Sequence, residues 1–288
     1  MTGWRFALTP RWMGYLALAV VFAIVCSLLG MWQFQRRAEA RAAIAVVEAN
    51  YDQDPRVVAE VLPSLESYDP DQEWTPVLLE GNYLADDELL ARNRPRNGQP
   101  GFEVLTPLLL ADGSVFVVNR GWVPIGSRQD SPDLVPQAPS GEVTVVARLK
   151  SGEPVLPGRS APAGTNQVAT IQLDEIAERL DLPTYTGAYG LVDSESPEPA
   201  AAPIATIKPE PDEGPHLSYA LQWFVFALIG FVGLGWALRE EYRVVNALDP
   251  DEQERAADRA RRKALKTPTD AEAEDAILDR GSGPELRG

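Results

Sequence analysis

The chain has 288 residues, a formal net charge of −16, 45% hydrophobic residues, one cysteine and one histidine. So few thiols and imidazoles leave no disulfide, no CxxC redox pair and too few donors for a zinc or copper site made by protein ligands alone. From Gln35 to Pro215 there are 29 Asp and Glu against 14 Lys and Arg, so nearly all the negative charge lies there, which argues against nucleic acid and anionic lipid as its partners.

Residues 1–11 read as a short cytoplasmic N-terminus, and 12–35 as a first membrane span. Met13 to Phe34 is 22 residues without a charge, longer than the roughly 7 to 15 apolar residues of a secretory signal. Ala38-Glu39-Ala40 resembles a cleavage site and keeps the signal-peptide alternative in view. Ala19, Ala23, Ser27 and Gly30 recur at steps of four, four and three, a small-residue stripe for close approach of another helix, and Gln33 and Arg37 extend it. Trp32 points to nearly the opposite side, as a lipid-facing belt residue. Good helix formers from Ala38 to Ala49 carry the helix beyond the apolar stretch, and the lone cysteine, Cys26, lies within it.

Residues 36–215 read as an extracytoplasmic β-rich domain. A short helix is expected around Arg56 to Leu62. Strand signals follow at Val77 to Leu79, which leads into Gly81-Asn82-Tyr83, and at Glu88 to Arg92, Phe102 to Leu110, Ser114 to Arg120, Glu142 to Leu149 and Thr184 to Val192, with Asp112-Gly113 as a hairpin turn. Val115 to Val118 is apolar on both faces, which suits a central strand or a closed barrel. Leu173 to Leu180 is amphipathic and short, hence a helix. Asn119-Arg120-Gly121-Trp122 reads as a structural corner ending the central strand, with Gly121 permitting the turn, Trp122 filling core and the Arg120 guanidinium in need of acceptors. Six prolines between Asp193 and Pro215 make a linker that allows at most a strand at Ile204 to Lys208.

Residues 216–239 form the second span. Twenty-two uncharged residues follow His216, about 33 Å of helix, which matches the hydrocarbon core of a bilayer. Its small residues Ala220, Ala227 and Gly230 face the first span. His216, Tyr219 and Trp223 share one face with Gln222 at its edge, which suits either an interfacial aromatic belt or a binding surface. Residues 240–288 are a charged cytoplasmic tail that begins as a helix and becomes polar and disordered from Thr267. The fold class is a membrane hairpin of two transmembrane helices carrying a mainly antiparallel, barrel-like β domain with a short helix. Two spans put both termini on one side, and a bacterial plasma membrane with cytoplasmic termini fits best.

Three motifs resemble the Surfeit locus protein 1 family over about residues 12 to 240. They are Leu29-Gly30-Met31-Trp32-Gln33-Phe34-Gln35-Arg36, Val118-Asn119-Arg120-Gly121-Trp122-Val123-Pro124, and His216-Leu217-Ser218-Tyr219-Ala220-Leu221-Gln222-Trp223-Phe224. The chain departs from the family pattern at Asn166-Gln167-Val168 and at Glu213-Gly214-Pro215. The resemblance implies a non-enzymatic assembly factor for cytochrome c oxidase (respiratory complex IV). Its partners would be oxidase subunits, chiefly the haem-bearing catalytic subunit, and an enzyme of haem a synthesis. It also implies haem a as ligand with His216 on the iron; Tyr219 and Trp223 would then cover the porphyrin, and Arg36 or Arg37 would meet its propionates. A haem-free chaperone that holds an oxidase subunit through Gln33 and Gln222 is the rival reading. A two-span sensor is a third, and the tail offers it no effector domain.

Overall fold

A computed structural model describes residues 3–127 and 131–264; the polar stretch expected from Thr267 lies outside them. The described residues fall into two compact units, one from the two ends of the chain up to Arg36 and from Pro215, the other from Arg37–Gly214.

In the first unit, α1 (Pro10–Asn50) and α4 (His216–Val245) are both long and apolar enough to cross a membrane. Proline opens α1 at a position where its missing N–H costs nothing. The buried and half-buried residues of α1 include a series at 19, 23, 26, 30, 33 and 37, flanked by 27 and 29, and those of the first turns of α4 fall at 216, 220, 223, 227 and 230. Alternating steps of four and three are the 3.5-residue period of a left-handed helix pair. Cys26 and Ala220 are fully buried on this seam. A Cβ on Gly30 would stand 2.8 Å from the Phe224 ring, and one on Gly230 would stand 3.3 Å from the Phe22 ring, so each glycine makes room for an aromatic of the other helix. At the far end, residues Gly3–Leu8 form a 3-10 turn in which Trp4 stacks on Tyr242 at 4.5 Å and the Gly3 N–H donates to Asn246 Oδ1 at 2.7 Å.

The second unit is built on five strands that close into a ring: β2 (Pro76–Tyr83), β6 (Glu142–Ser151), β8 (Ala188–Ser196), β5 (Val115–Pro124) and β4 (Gly101–Leu110), with β4 pairing back onto β2 through Gly81, Asn82 and Tyr83. All ring pairings are antiparallel except β5 with β8. β1 (Arg56–Val57) adds to β2, while β3 (Leu89–Ala91) and β7 (Gln167–Val168) add beyond β4. Two short helices, α2 (Val58–Val61) and α3 (Leu173–Leu180), lie in this unit, and α5 (Pro250–Ala264) follows α4 in the chain.

β5 is buried on both faces, as its apolar run requires. Phe116 and Val118 enter one core with Val77, Leu79, Val145 and Leu149; Val117 enters a second with Leu105, Ile171, Ile176 and Tyr189, under α3 and the β3–β7 pair. β6 alternates instead, with every second residue buried. α3 has the bounds expected of it; its N–H at Glu175 is capped by the Gln172 side chain at 2.6 Å.

Three local expectations change. Arg56 to Leu62 divides into β1 and α2, because Arg56 and Val57 are captured by ladder bonds to Val77 and Leu78. The strand expected over 184–192 spans Ala188–Ser196, drawn onward by the register that pairs Ser196 with Thr144; Thr184 keeps only an isolated bridge to Val115. Of the strand allowed at 204–208, one bridge forms, Trp122 with Ile204, between Pro203 and Pro209.

Candidate functional site

α4 begins at His216, directly after Pro215, so the imidazole sits on the first turn and at the end of the seam. Its Nδ1 lies 2.8 Å from Oε1 of Gln33, the seam residue one turn beyond Gly30 on α1. An amide oxygen accepts and cannot donate, so Nδ1 carries the proton and Nε2 of a neutral ring keeps its lone pair. His216, Gln33 and Trp223 are half-buried. Tyr219, 48% exposed, and Gln222 lie beside the seam and face outward. Trp223 meets Phe226 edge-on at 5.9 Å. Trp32 is off the seam and 53% exposed.

Arg37 and Arg41 both reach Glu213, Arg37 Nε at 2.8 Å and Arg41 Nε at 3.4 Å. One carboxylate thus takes Arg37, one of the two arginines expected to meet propionates. In the sequence Glu213 stood out only as part of a departure from the family pattern, and nothing there paired it with an arginine.

The Asn119-Arg120-Gly121-Trp122 motif does not end its strand. β5 continues through Trp122 to Pro124, and the motif instead forms a bulge: Leu105 faces Asn119, Val104 faces Gly121, and Arg120 is the extra residue between them. The Arg120 side chain is fully buried. Its Nε donates to Glu195 Oε1 at 2.9 Å, and its two terminal nitrogens reach the Pro136 and Gln137 carbonyls at 3.0 and 3.3 Å. Tyr83 Oη donates to the same Glu195 oxygen at 2.6 Å, and burial pushes that phenol's pKa upward. Gly121 has φ +127°, and a Cβ there would lie 2.6 Å from the Ile204 carbonyl. Trp122 is buried and donates its indole N–H to the Arg94 carbonyl at 2.7 Å. These four residues join a strand, a loop and the proline-rich connector.

A family model described as the SURF1 family matches residues 20–228, a stretch that includes Gln33, the bulge and His216. The chain belongs to the SURF1 family. Among its relatives, an uncharacterized SURF1-like protein of Mycobacterium bovis is 30% identical over 243 residues, 83% of this chain and 87% of the relative. A SURF1-like protein of Rickettsia felis is 24% identical over 221 residues, 74% of this chain and 91% of the relative. The cytochrome oxidase assembly protein SHY1 of Saccharomyces cerevisiae is 30% identical over 115 residues, 38% of this chain and 28% of that protein.

Two further features of this SURF1 family member were not legible in its motifs. Arg94 grips Glu153 with both terminal nitrogens, at 2.8 and 2.5 Å, and lies 3.4 Å from Glu103. A cavity of about 590 Å³ is lined by Ala40, Ile44 and Val47 of α1, by Trp74 and Lys150, and by connector residues from Lys208 on. No group of three or more His, Cys, Asp or Glu able to hold a metal occurs among the described residues.

Proposed function

We propose that this chain is an assembly factor for cytochrome c oxidase that carries haem a toward the haem-bearing catalytic subunit, with His216 as iron ligand. The family and the name of its yeast relative support the oxidase as the client. The observation that carries the haem step is the Gln33–His216 pair at 2.8 Å on the helix seam. A neutral imidazole with one nitrogen engaged by a carbonyl-type oxygen presents the other to a metal, the arrangement usual for histidine ligands.

The rest of the site fits a flat, largely apolar ligand. Trp223 and Tyr219 supply aromatic faces on the same side of α4, while Gly30 and Ala220 keep the two backbones close. Bound at the oxidase, haem a supplies iron for electron transfer and oxygen chemistry; the chain itself takes no catalytic step in this reading. Its side chains bind and orient. The helix pair lies in a bacterial plasma membrane with both termini cytoplasmic and residues 36–215 outside, so the ligand is met from a membrane-bound enzyme of haem a synthesis. Outward-facing Tyr219 and Gln222 favour a second reading, docking of a client helix without haem.

The test is the visible spectrum of the full chain purified in detergent from cells that make haem a. A Soret band lost in His216→Ala supports carriage. If neither sample has a band while oxidase assembly still needs the protein, the haem-free chaperone takes its place.

A further inference from the structure

We propose that Gln33 is a positioning residue for His216: its amide oxygen holds the imidazole in the Nδ1–H tautomer and so selects Nε2 as the ligating atom. The inference rests on the reading of His216 as a ligand, and it concerns a residue of the opposite helix. The two tautomers of a neutral imidazole are close in energy, so the hydrogen bond made by one nitrogen decides where the proton sits. Here that bond is 2.8 Å long and runs to an atom that only accepts.

The position demands this residue type. Gln33 lies three residues beyond Gly30, where the Phe224 ring occupies the space a side chain would fill, and the fully buried Ala220 is one turn into α4 from His216. The backbones are therefore close, and a side chain of glutamine's length spans the seam. A carboxylate there would also accept from Nδ1, but its charge favours the imidazolium, which has no lone pair for a metal. A neutral amide sets the tautomer without adding a charge that would favour the imidazolium.

His216 is the only histidine in the chain, so 15N-histidine labelling of the full protein gives one imidazole to observe. At pH 8.5, well above the ordinary imidazole pKa of about 6.5, nitrogen shifts in detergent are expected to report a protonated Nδ1 and a bare Nε2. Gln33→Leu is expected to move the proton toward Nε2, and Gln33→Glu, measured at the same pH, to keep it on Nδ1. In parallel, haemin titrated against the apoprotein should bind about 10- to 100-fold more weakly to Gln33→Leu. Circular dichroism on each variant checks that the helices persist.

A bare Nδ1 in the wild type, or a tautomer unmoved by Gln33→Leu, overturns the proposal while leaving His216 free to bind iron. Haemin affinity indifferent to His216→Ala overturns the ligand reading itself, and with it the role given to Gln33 toward iron, whatever the nitrogen shifts show.

Discussion

Arg94 faces two carboxylates and treats them differently. Burial lifts the pKa of Glu103, and the guanidinium 3.4 Å away offsets only part of that cost. Burial acts the same way on Glu153, but two hydrogen bonds from Arg94 and one from the Ile171 N–H outweigh it and hold that carboxyl below its ordinary value. The signs of their stability effects are opposite. A raised carboxyl contributes stability that is complete below the unfolded value of 4.5 and is lost as pH rises through its folded pKa. A lowered one contributes above 4.5 and is lost as pH falls through its folded pKa. Glu103→Gln should therefore flatten the decline in melting temperature on raising pH from about 4.5, and Glu153→Gln should flatten the decline on acidification. Melting curves from pH 3 to 8 in detergent check both. Arg120 is a different case, because its side chain and that of Glu195 are almost wholly removed from water. Arg120→Met leaves the Glu195 carboxyl with the Tyr83 hydroxyl as its one remaining side-chain partner among the described residues, and should cost about 3–5 kcal/mol in denaturant unfolding. That an arginine ending an apolar run needs acceptors could be read from sequence. Which of 29 acids served it could not, since Glu195 is 75 residues away.

At the scale of elements, β5 and the connector depend on one backbone conformation. The Trp122 and Ile204 N–H groups each donate to the other residue's carbonyl at 2.8 Å, directly beside Gly121 at φ +127°. Gly121→Ala should cost on the order of 2 kcal/mol for the strained backbone and unpair Ile204. The measurement is limited proteolysis, with cleavage between Asp193 and Pro215 expected to accelerate; an unchanged rate would mean that the connector is held elsewhere. The helix pair depends on packing. Gly30→Leu would drive a side chain into the Phe224 ring, and its melting temperature in detergent should fall well below that of Leu28→Ala, whose wild-type side chain is 61% exposed. The small-residue stripe was legible because its period shows in the sequence alone. Its alternation of three and four, and the seam level shared by Gln33 and His216, appear only when the second helix is against it.

For the whole molecule, the division of charge suggests a simple test of sidedness. The acidic stretch lies between two apolar helices, and the basic residues of α5 lie beyond the second. Cys26 is fully buried, so the native chain offers a low background to a membrane-impermeant maleimide. Ser160→Cys should label in intact cells and Asp258→Cys only after lysis. The reverse pattern would turn the chain over in the membrane and remove the basis for a haem site on the outer side.

Local patterns by themselves determined the two apolar helices, the Asp112-Gly113 hairpin, the bounds of α3 and the double-sided burial of β5, because period, turn chemistry and hydrophobicity are properties of neighbouring residues. Three motifs also carried the family. Closure of the ring through β2 and β4, the bulge that sets Arg120 against Glu195, and the bonds from Gln33 to His216 and from Arg37 to Glu213 were decided only by the tertiary structure. Each joins residues far apart in the chain, and a side chain's partner is chosen by which backbones packing brings together.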